Sequence, residues 1–347
     1  MRSRWLRLLA LLTCVLVTAA VAGPVQAQNK VEAARGQPIR HFSFGAAGDH
    51  GANPHTAAAL RRLDRSDAAF YLALGDLDYD QTRTDRAWCR YVHEHLPRKG
   101  ARFPFEVLVG NHEQDGGPDG RIRHHARCLP DRLSSTPGPG SGYGAEYAFS
   151  YPPRHPLARV IMIAPNLTVN GERHTYRAGS PHRRWLLRQI NQARADGVRW
   201  VVVGMHYPCL SAGATHGCDA GPEILNLLVR KRVDLVLTGH NHVYERGKQL
   251  RRGAGCRWIR PGRFDRDCVV PGWRDGSYRK GAGTVFVTAG SFGRHEQGID
   301  PHDPDRRYFA RVDGDALGFV RYVVRPGRID ARLLATADSG HDSFSIG

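Results

Sequence analysis

No two of the seven cysteines stand as Cys-x-x-Cys, which argues against a thiolate zinc cluster. The 347 residues hold no internal repeat and no low-complexity block, so repeat arrays and disordered scaffolds are excluded. No linker splits the chain. The apolar run from Leu8 to about Ala22 is too short and too near the start for a comfortable membrane span. Acidic residues are few beside basic ones, 33 against 50, giving a formal charge of +17. Such a balance attracts anions: phosphorylated substrates, nucleic acid or acidic polymers. Yet the arginines are spread along the chain, with no basic tail and no aromatic-interleaved basic repeat. No stable nucleic-acid partner is expected.

What is present begins with a leader. Arg2, Arg4 and Arg7 precede the apolar run, and Val25-Gln26-Ala27 offers small residues for cleavage. Residues 1–27 therefore read as a secretory signal peptide, leaving 28–347 as a single domain without a retained membrane anchor. The expected location is exported, in an oxidising compartment. Removing the leader also removes Cys14. Six cysteines remain, an even number that favours disulfides in such a setting. Nearness in sequence favours Cys209–Cys218 and Cys256–Cys268, leaving Cys89 with Cys128. Spacing alone leaves other connectivities open.

Hydrophobic periodicity predicts strands over 41–47, 68–74, 105–109, 143–151, 159–164, 200–204 and 233–237, with late strands at 284–288, 319–324 and 329–334. Helices are predicted over 54–65, 82–96, 181–195 and 222–231. Ser180 and Pro181 supply the cap and first turn of the third. The stretches 114–142 and 247–281, rich in Gly and Arg, read as long surface loops. Helices and strands alternate for two thirds of the chain and strands dominate afterwards. That order fits an α/β fold of two packed mixed sheets flanked by helices better than one open parallel sheet.

Five short blocks follow runs that read as strands. They are Gly48-Asp49-His50-Gly51, Gly75-Asp76-Leu77-Asp78-Tyr79, Gly110-Asn111-His112-Glu113, Met205-His206-Tyr207-Pro208 and Gly239-His240-Asn241-His242. Loops at strand ends on a rigid sheet are where metal ligands are built. Asp, Asn and His donors suit borderline and hard cations, and a carboxylate can bridge two of them. Asp49, Asp76, Tyr79, Asn111, His206, His240 and His242 make up the seven donors that a two-metal site needs. His50, one residue from Asp49, is expected on the opposite side of an extended segment. Asp78 and Asp80 are expected to face solvent, and His124 and His125 lie in the first long loop.

The five blocks resemble the calcineurin-like metallophosphoesterases, whose fold is an αββα sandwich, and among them the purple acid phosphatases. Generic members open with Asp-x-His; here Gly51 replaces that histidine, while Tyr79 stands three residues after Asp76 as in the purple subgroup. The resemblance implies that Asp49, Asp76, Tyr79 and His242 bind a first metal, expected to be Fe(III). Asp76 would bridge to a second, iron, zinc or manganese, completed by Asn111, His206 and His240. His112 is expected to protonate the leaving oxygen or orient the phosphate. Thr215-His216 falls where plant members carry adjacent histidines, so His216 is expected to contact substrate. The implied activity is hydrolysis of phosphate monoesters on a small molecule or polymer by a metal-bound hydroxide. A phosphodiesterase with the same site is the alternative, and a non-catalytic anion-binding protein a remoter one.

Overall fold

The computed structural model describes residues 40–347 apart from 119–121, 141, 216, 296 and 337–339. The leader read over 1–27 and His216, expected to contact substrate, lie outside the described residues.

β-Branched and aromatic runs become two sheets. The first runs in the order β12 (Ser277–Tyr278), β17 (Ser343–Ile346), β16 (Ile329–Ala335), β15 (Gly318–Val324), β1 (Phe42–Ala47), β2 (Phe70–Ala73) and β3 (Phe105–Val107). The second runs β14 (Phe309–Asp313), β11 (Tyr244–Gly247), β13 (Val285–Ala289), β10 (Leu235–Thr238), β9 (Trp200–Gly204), β6 (Ala158–Met162), β5 (Tyr147–Tyr151) and β4 (Thr136–Pro137). A small hairpin pairs β7 (Thr168–Val169) with β8 (Glu172–Arg173). Helices flank the sheets: α1 (Pro54–Asp64), α2 (Asp85–Glu94), α3 (Ile122–Cys128), α4 (Pro181–Ala195) and α5 (Pro222–Arg230). This is the two-sheet sandwich expected from the sequence.

The central strands β9 and β10 of the second sheet are buried on both faces, which explains their unbroken apolar runs. Val160, Met162, Val202, Leu235 and Leu237 join the core shared with the first sheet. Their neighbours Ile161, Val201, Val203 and Val236 point the other way, into a second core beneath Trp185 of α4 and Leu225 of α5. Period-2 alternation therefore feeds two cores from one strand.

Parallel pairing sets the site. β1, β2 and β3 run parallel to one another, as do β9, β10 and β13. Their carboxyl ends deliver all five blocks to one rim. The two sheets are tied there directly: Gly48 N donates to Ala289 O at 2.8 Å, and His206 Nδ1 lies 2.8 Å from Leu74 O.

The cysteines pair as Cys89–Cys128, Cys209–Cys218 and Cys256–Cys268. The first ties α2 to α3, a helix inside the stretch expected to be loop. His124 and His125 sit on that helix and face α2: His124 Nδ1 is 2.7 Å from Asp85 Oδ2, and His125 is buried.

Glu106 on β3 is fully buried, and burial pushes its carboxyl up to about 8. A carboxyl that stays protonated in the fold but ionises when unfolded costs stability as pH rises between its ordinary value and the raised one. Glu106→Gln should therefore gain melting temperature relative to the parent as pH climbs from about 5 to about 8. A difference in melting temperature that stays constant over that window would refute this reading.

Candidate metal centre

Each donor sits on a tight turn just past a strand. Asp49 N bonds Gly75 O at 3.0 Å, His50 N bonds Asp76 O at 2.9 Å and Gly51 N bonds Leu77 O at 2.9 Å, so the first two blocks continue the pairing of β1 and β2. The donors then leave the strand geometry. Asp49, Asp76, Tyr79 and His240 all have φ between 51° and 70°, the left-handed region. That conformation costs on the order of 1 kcal/mol per non-glycine residue and gathers at functional sites. Close approach explains two glycines. A Cβ on Gly110 would lie 2.0 Å from Asp76 Oδ1, and one on Gly75 would lie 2.6 Å from His206 Nδ1.

Seven side chains converge in two groups around Asp76. Its Oδ2 is 3.1 Å from the Tyr79 hydroxyl, which also lies 2.7 Å from Asp49 Oδ1 and 2.9 Å from His242 Nε2. His242 Nε2 is 3.5 Å from Asp49 Oδ1. On the other side, Asp76 Oδ1 is 3.3 Å from His206 Nε2, which lies 2.9 Å from Asn111 Oδ1. His240 closes this second group: it offers a ring nitrogen within 4.8 Å of ligand atoms of Asp76 and His206. All seven sequence-predicted donors are brought together.

The donor chemistry fits two cations. The phenol of Tyr79 has one proton, yet two carboxylate oxygens lie within hydrogen-bond distance of its oxygen. His206 gives its Nδ1 hydrogen to Leu74 O, so Nε2 is the nitrogen turned toward two acceptor oxygens, Asp76 Oδ1 and Asn111 Oδ1. A positive charge between such groups relieves both crowded contacts. The electrostatics agree. Burial lowers the His206 imidazole, but the charge of Asp76 outweighs it and pushes the group up to about 9. Burial raises Asp76, but His206 and His112 hold its carboxyl well below the ordinary range. Burial and the charges of Asp49 and Asp76 push the Tyr79 phenol upward, so its phenolate needs a highly charged partner.

His112 stands at the mouth. Its Nε2 is 3.7 Å from Asp76 Oδ2, its ring centre is 4.3 Å from that of Tyr79, and its side chain is 24% exposed. It can meet a substrate without displacing a donor. His50 turns inward as expected, with Nε2 3.0 Å from the Tyr71 hydroxyl and its ring against Phe292. Asp78 is buried rather than solvent-facing, and accepts from the Thr82 hydroxyl at 2.8 Å.

Four supporting residues were missed in the sequence. Glu113 accepts from the backbone N–H groups of Asp76, Leu77 and Gly110, at 3.1, 2.6 and 2.9 Å. It clamps the second block to the third, and its place in the Gly-Asn-His-Glu block was the available signal. Asp219, next to the Cys209–Cys218 disulfide, brings Oδ2 within 3.2 Å of His240 Nε2. The Arg294 guanidinium lies 4.6 Å from the Tyr79 ring centre, and Gln297 Oε1 accepts from His242 N at 2.9 Å. Nothing local marks these last three. An open cleft of about 680 Å³ in the Arg-rich loop, lined by Arg257, Arg260, Arg263 and Arg266 around Trp258, shares no residue with the donors.

The family model for calcineurin-like phosphoesterases matches residues 42–244. The chain is 28% identical over 218 residues to purple acid phosphatase 18 of Arabidopsis thaliana, covering 61% of this chain and 46% of that protein. It is 26% identical to a phosphoenolpyruvate phosphatase of Allium cepa, covering 61% and 43%. The chain thus spans less than half the length of these curated relatives. Among solved structures, purple acid phosphatase PPD1 from yellow lupin superposes with a TM-score of 0.63 at 17% identity, over 90% of this chain and 54% of that one. A PhoD structure gives 0.55 at 13% identity, over 89% and 70%. At such identities these two establish the sandwich fold.

Proposed function

The chain belongs to the calcineurin-like phosphoesterase family, and on that premise we propose that it is an exported two-metal phosphatase of the purple acid type, acting on phosphate monoesters. One observation carries this reading: the two oxygens of Asp76 face two separate donor groups, one of which contains a phenol. Asp49, Asp76, Tyr79 and His242 would hold the first ion, and Asp76, Asn111, His206 and His240 the second. A phenolate is a hard anionic donor that selects Fe(III) for the first position; iron, zinc or manganese suits the second. Bound there, the ions offset phosphoryl charge and make water a competent nucleophile near neutral pH.

The side chains do the rest. Glu113 holds the turns of Asp76 and Asn111 in register through three backbone donors, so the donor groups are set before substrate arrives. His112 presents its imidazole at the open side, where it gives a proton to the leaving alcohol oxygen as the phosphorus–oxygen bond breaks. Arg294, packed on Tyr79, adds positive charge at the mouth and favours anionic substrates. The single catalytic domain, read from residue 28 onward, carries every group named. Three disulfides support an oxidising compartment. Among the described residues no helix is long and apolar enough to cross a membrane.

The test is a visible spectrum with elemental analysis of the purified protein, followed by activity on a simple monoester and a simple diester. Bound iron and a broad visible band that disappears in Tyr79→Phe are expected, with the monoester preferred. A colourless, fully active protein holding two divalent ions would reject the Fe(III)–phenolate assignment. A higher kcat/KM on the diester would replace the phosphatase reading with a phosphodiesterase.

A further inference from the structure

A second group of ligand-type side chains lies outside the centre just described. Glu146 immediately precedes β5, His174 immediately follows β8, and His182 occupies the first turn of α4. All three are buried, and each offers a donor atom within 4.8 Å of the others. They share no residue with the phosphatase centre. We propose that Glu146, His174 and His182 form a third metal site, which takes a borderline divalent transition ion of the zinc class.

The hydrogen bonds separate two of these residues from the third. Glu146 accepts from the Tyr176 hydroxyl at 2.6 Å, and its Oε2 lies 2.7 Å from His182 Nδ1. His182 Nε2 is 3.1 Å from Glu172 Oε1. His174 has neither: among the described residues, both of its ring nitrogens are buried without a hydrogen-bond partner. Its ring stacks on His182 with centres 4.2 Å apart and planes 22° apart. A buried polar atom left unpaired is destabilising, and here one imidazole carries two. Filling this position with an apolar ring would avoid that cost. A cation is the partner that a neutral imidazole lone pair and a buried carboxylate share.

The surroundings match a metal site in other ways. Glu172 stands where an outer carboxylate fixes the ring of a ligating histidine. It is also 47% exposed, giving an ion a route from solvent. Imidazole and carboxylate donors without thiolate suit zinc and its neighbours.

The ion would brace the phosphatase centre from behind. His174 N donates to Leu167 O at 2.9 Å and His174 O accepts from Asn166 N at 2.8 Å. That same loop holds Asp115 N through Thr168 O at 2.9 Å, and Asp219 O through Asn166 Nδ2 at 2.8 Å. Fixing His174 therefore steadies residues just after Asn111–Glu113 and the carboxylate beside His240.

The experiment uses the whole purified protein, stripped with a chelator and titrated with Co²⁺ alone. The parent should bind three equivalents, and His174→Gln two. The same count is then made on Asp76→Asn, a variant that disables the phosphatase centre but leaves Glu146, His174 and His182 untouched. One tight equivalent with an intense tetrahedral Co²⁺ absorption should remain, and it should disappear in the Asp76→Asn, His174→Gln double variant. No tight Co²⁺ in Asp76→Asn would overturn the third site, whatever the parent's activity. Because this count is independent of phosphatase turnover, it also stands if the monoester reading fails.

Discussion

Asp76→Asn should lose both phosphatase ions at once and lower kcat/KM by roughly a thousandfold or more, since metal stabilisation of a phosphoryl transition state is worth several kcal/mol and each 1.36 kcal/mol is a factor of ten. The reason is geometric. Asp76 Oδ2 faces Tyr79, while Asp76 Oδ1 faces His206 and takes the His112 N–H at 3.1 Å. Asparagine keeps the shape and tolerates the left-handed backbone at φ 51°, so the fold should survive. What it lacks is the charge that two cations share, and one of its two ends becomes a donor that cannot ligate. Asn111→Ala is the control, because Asn111 touches only the second group. It should cost the second ion and leave the Tyr79-dependent band. The check is elemental analysis of both variants beside circular dichroism. Two ions retained in Asp76→Asn would refute the bridging role.

The fold was legible where strand runs were continuous and ended in a metal-type block, because a doubly buried strand and its terminal turn both leave local marks. Val201, Val202 and Val203 followed by Gly204, Met205 and His206 is one such case. His50 was legible for a similar reason: strand alternation places it opposite Asp49, and it packs on Phe292. The illegible parts depend on distant partners. The helix Ile122–Cys128 sits in a Gly- and Pro-rich stretch, where propensity alone gives no helix; it is anchored by Cys89 of α2 and by burial of Ile122. The strands Tyr244–Gly247 and Phe309–Asp313 pair with one another across more than sixty residues of chain. Asp219 and Gln297 reach the donors from loops that no spacing rule links to the five blocks.

His112→Ala should leave both phosphatase ions and the visible band in place while lowering kcat on an alkyl phosphate by about a hundredfold or more, the span of general acid catalysis. Two features keep the metals safe from this change. The backbone N–H of His112, which bonds Asp76 Oδ1, is unaffected by loss of the ring. The ring itself stands 3.7 Å from the nearest carboxylate oxygen of Asp76, partly open to solvent, while the seven donors already form two complete groups. The size of the defect should depend on the leaving group. An alkoxide is a poor leaving group and needs a proton as the bond breaks; the anion of an acidic phenol leaves without one. The penalty on an aryl phosphate should therefore be less than about tenfold. Equal penalties on both substrates would mean that His112 orients the phosphate and does not protonate the leaving oxygen. Loss of an ion in His112→Ala would remove it from the catalytic role altogether and make it an eighth donor.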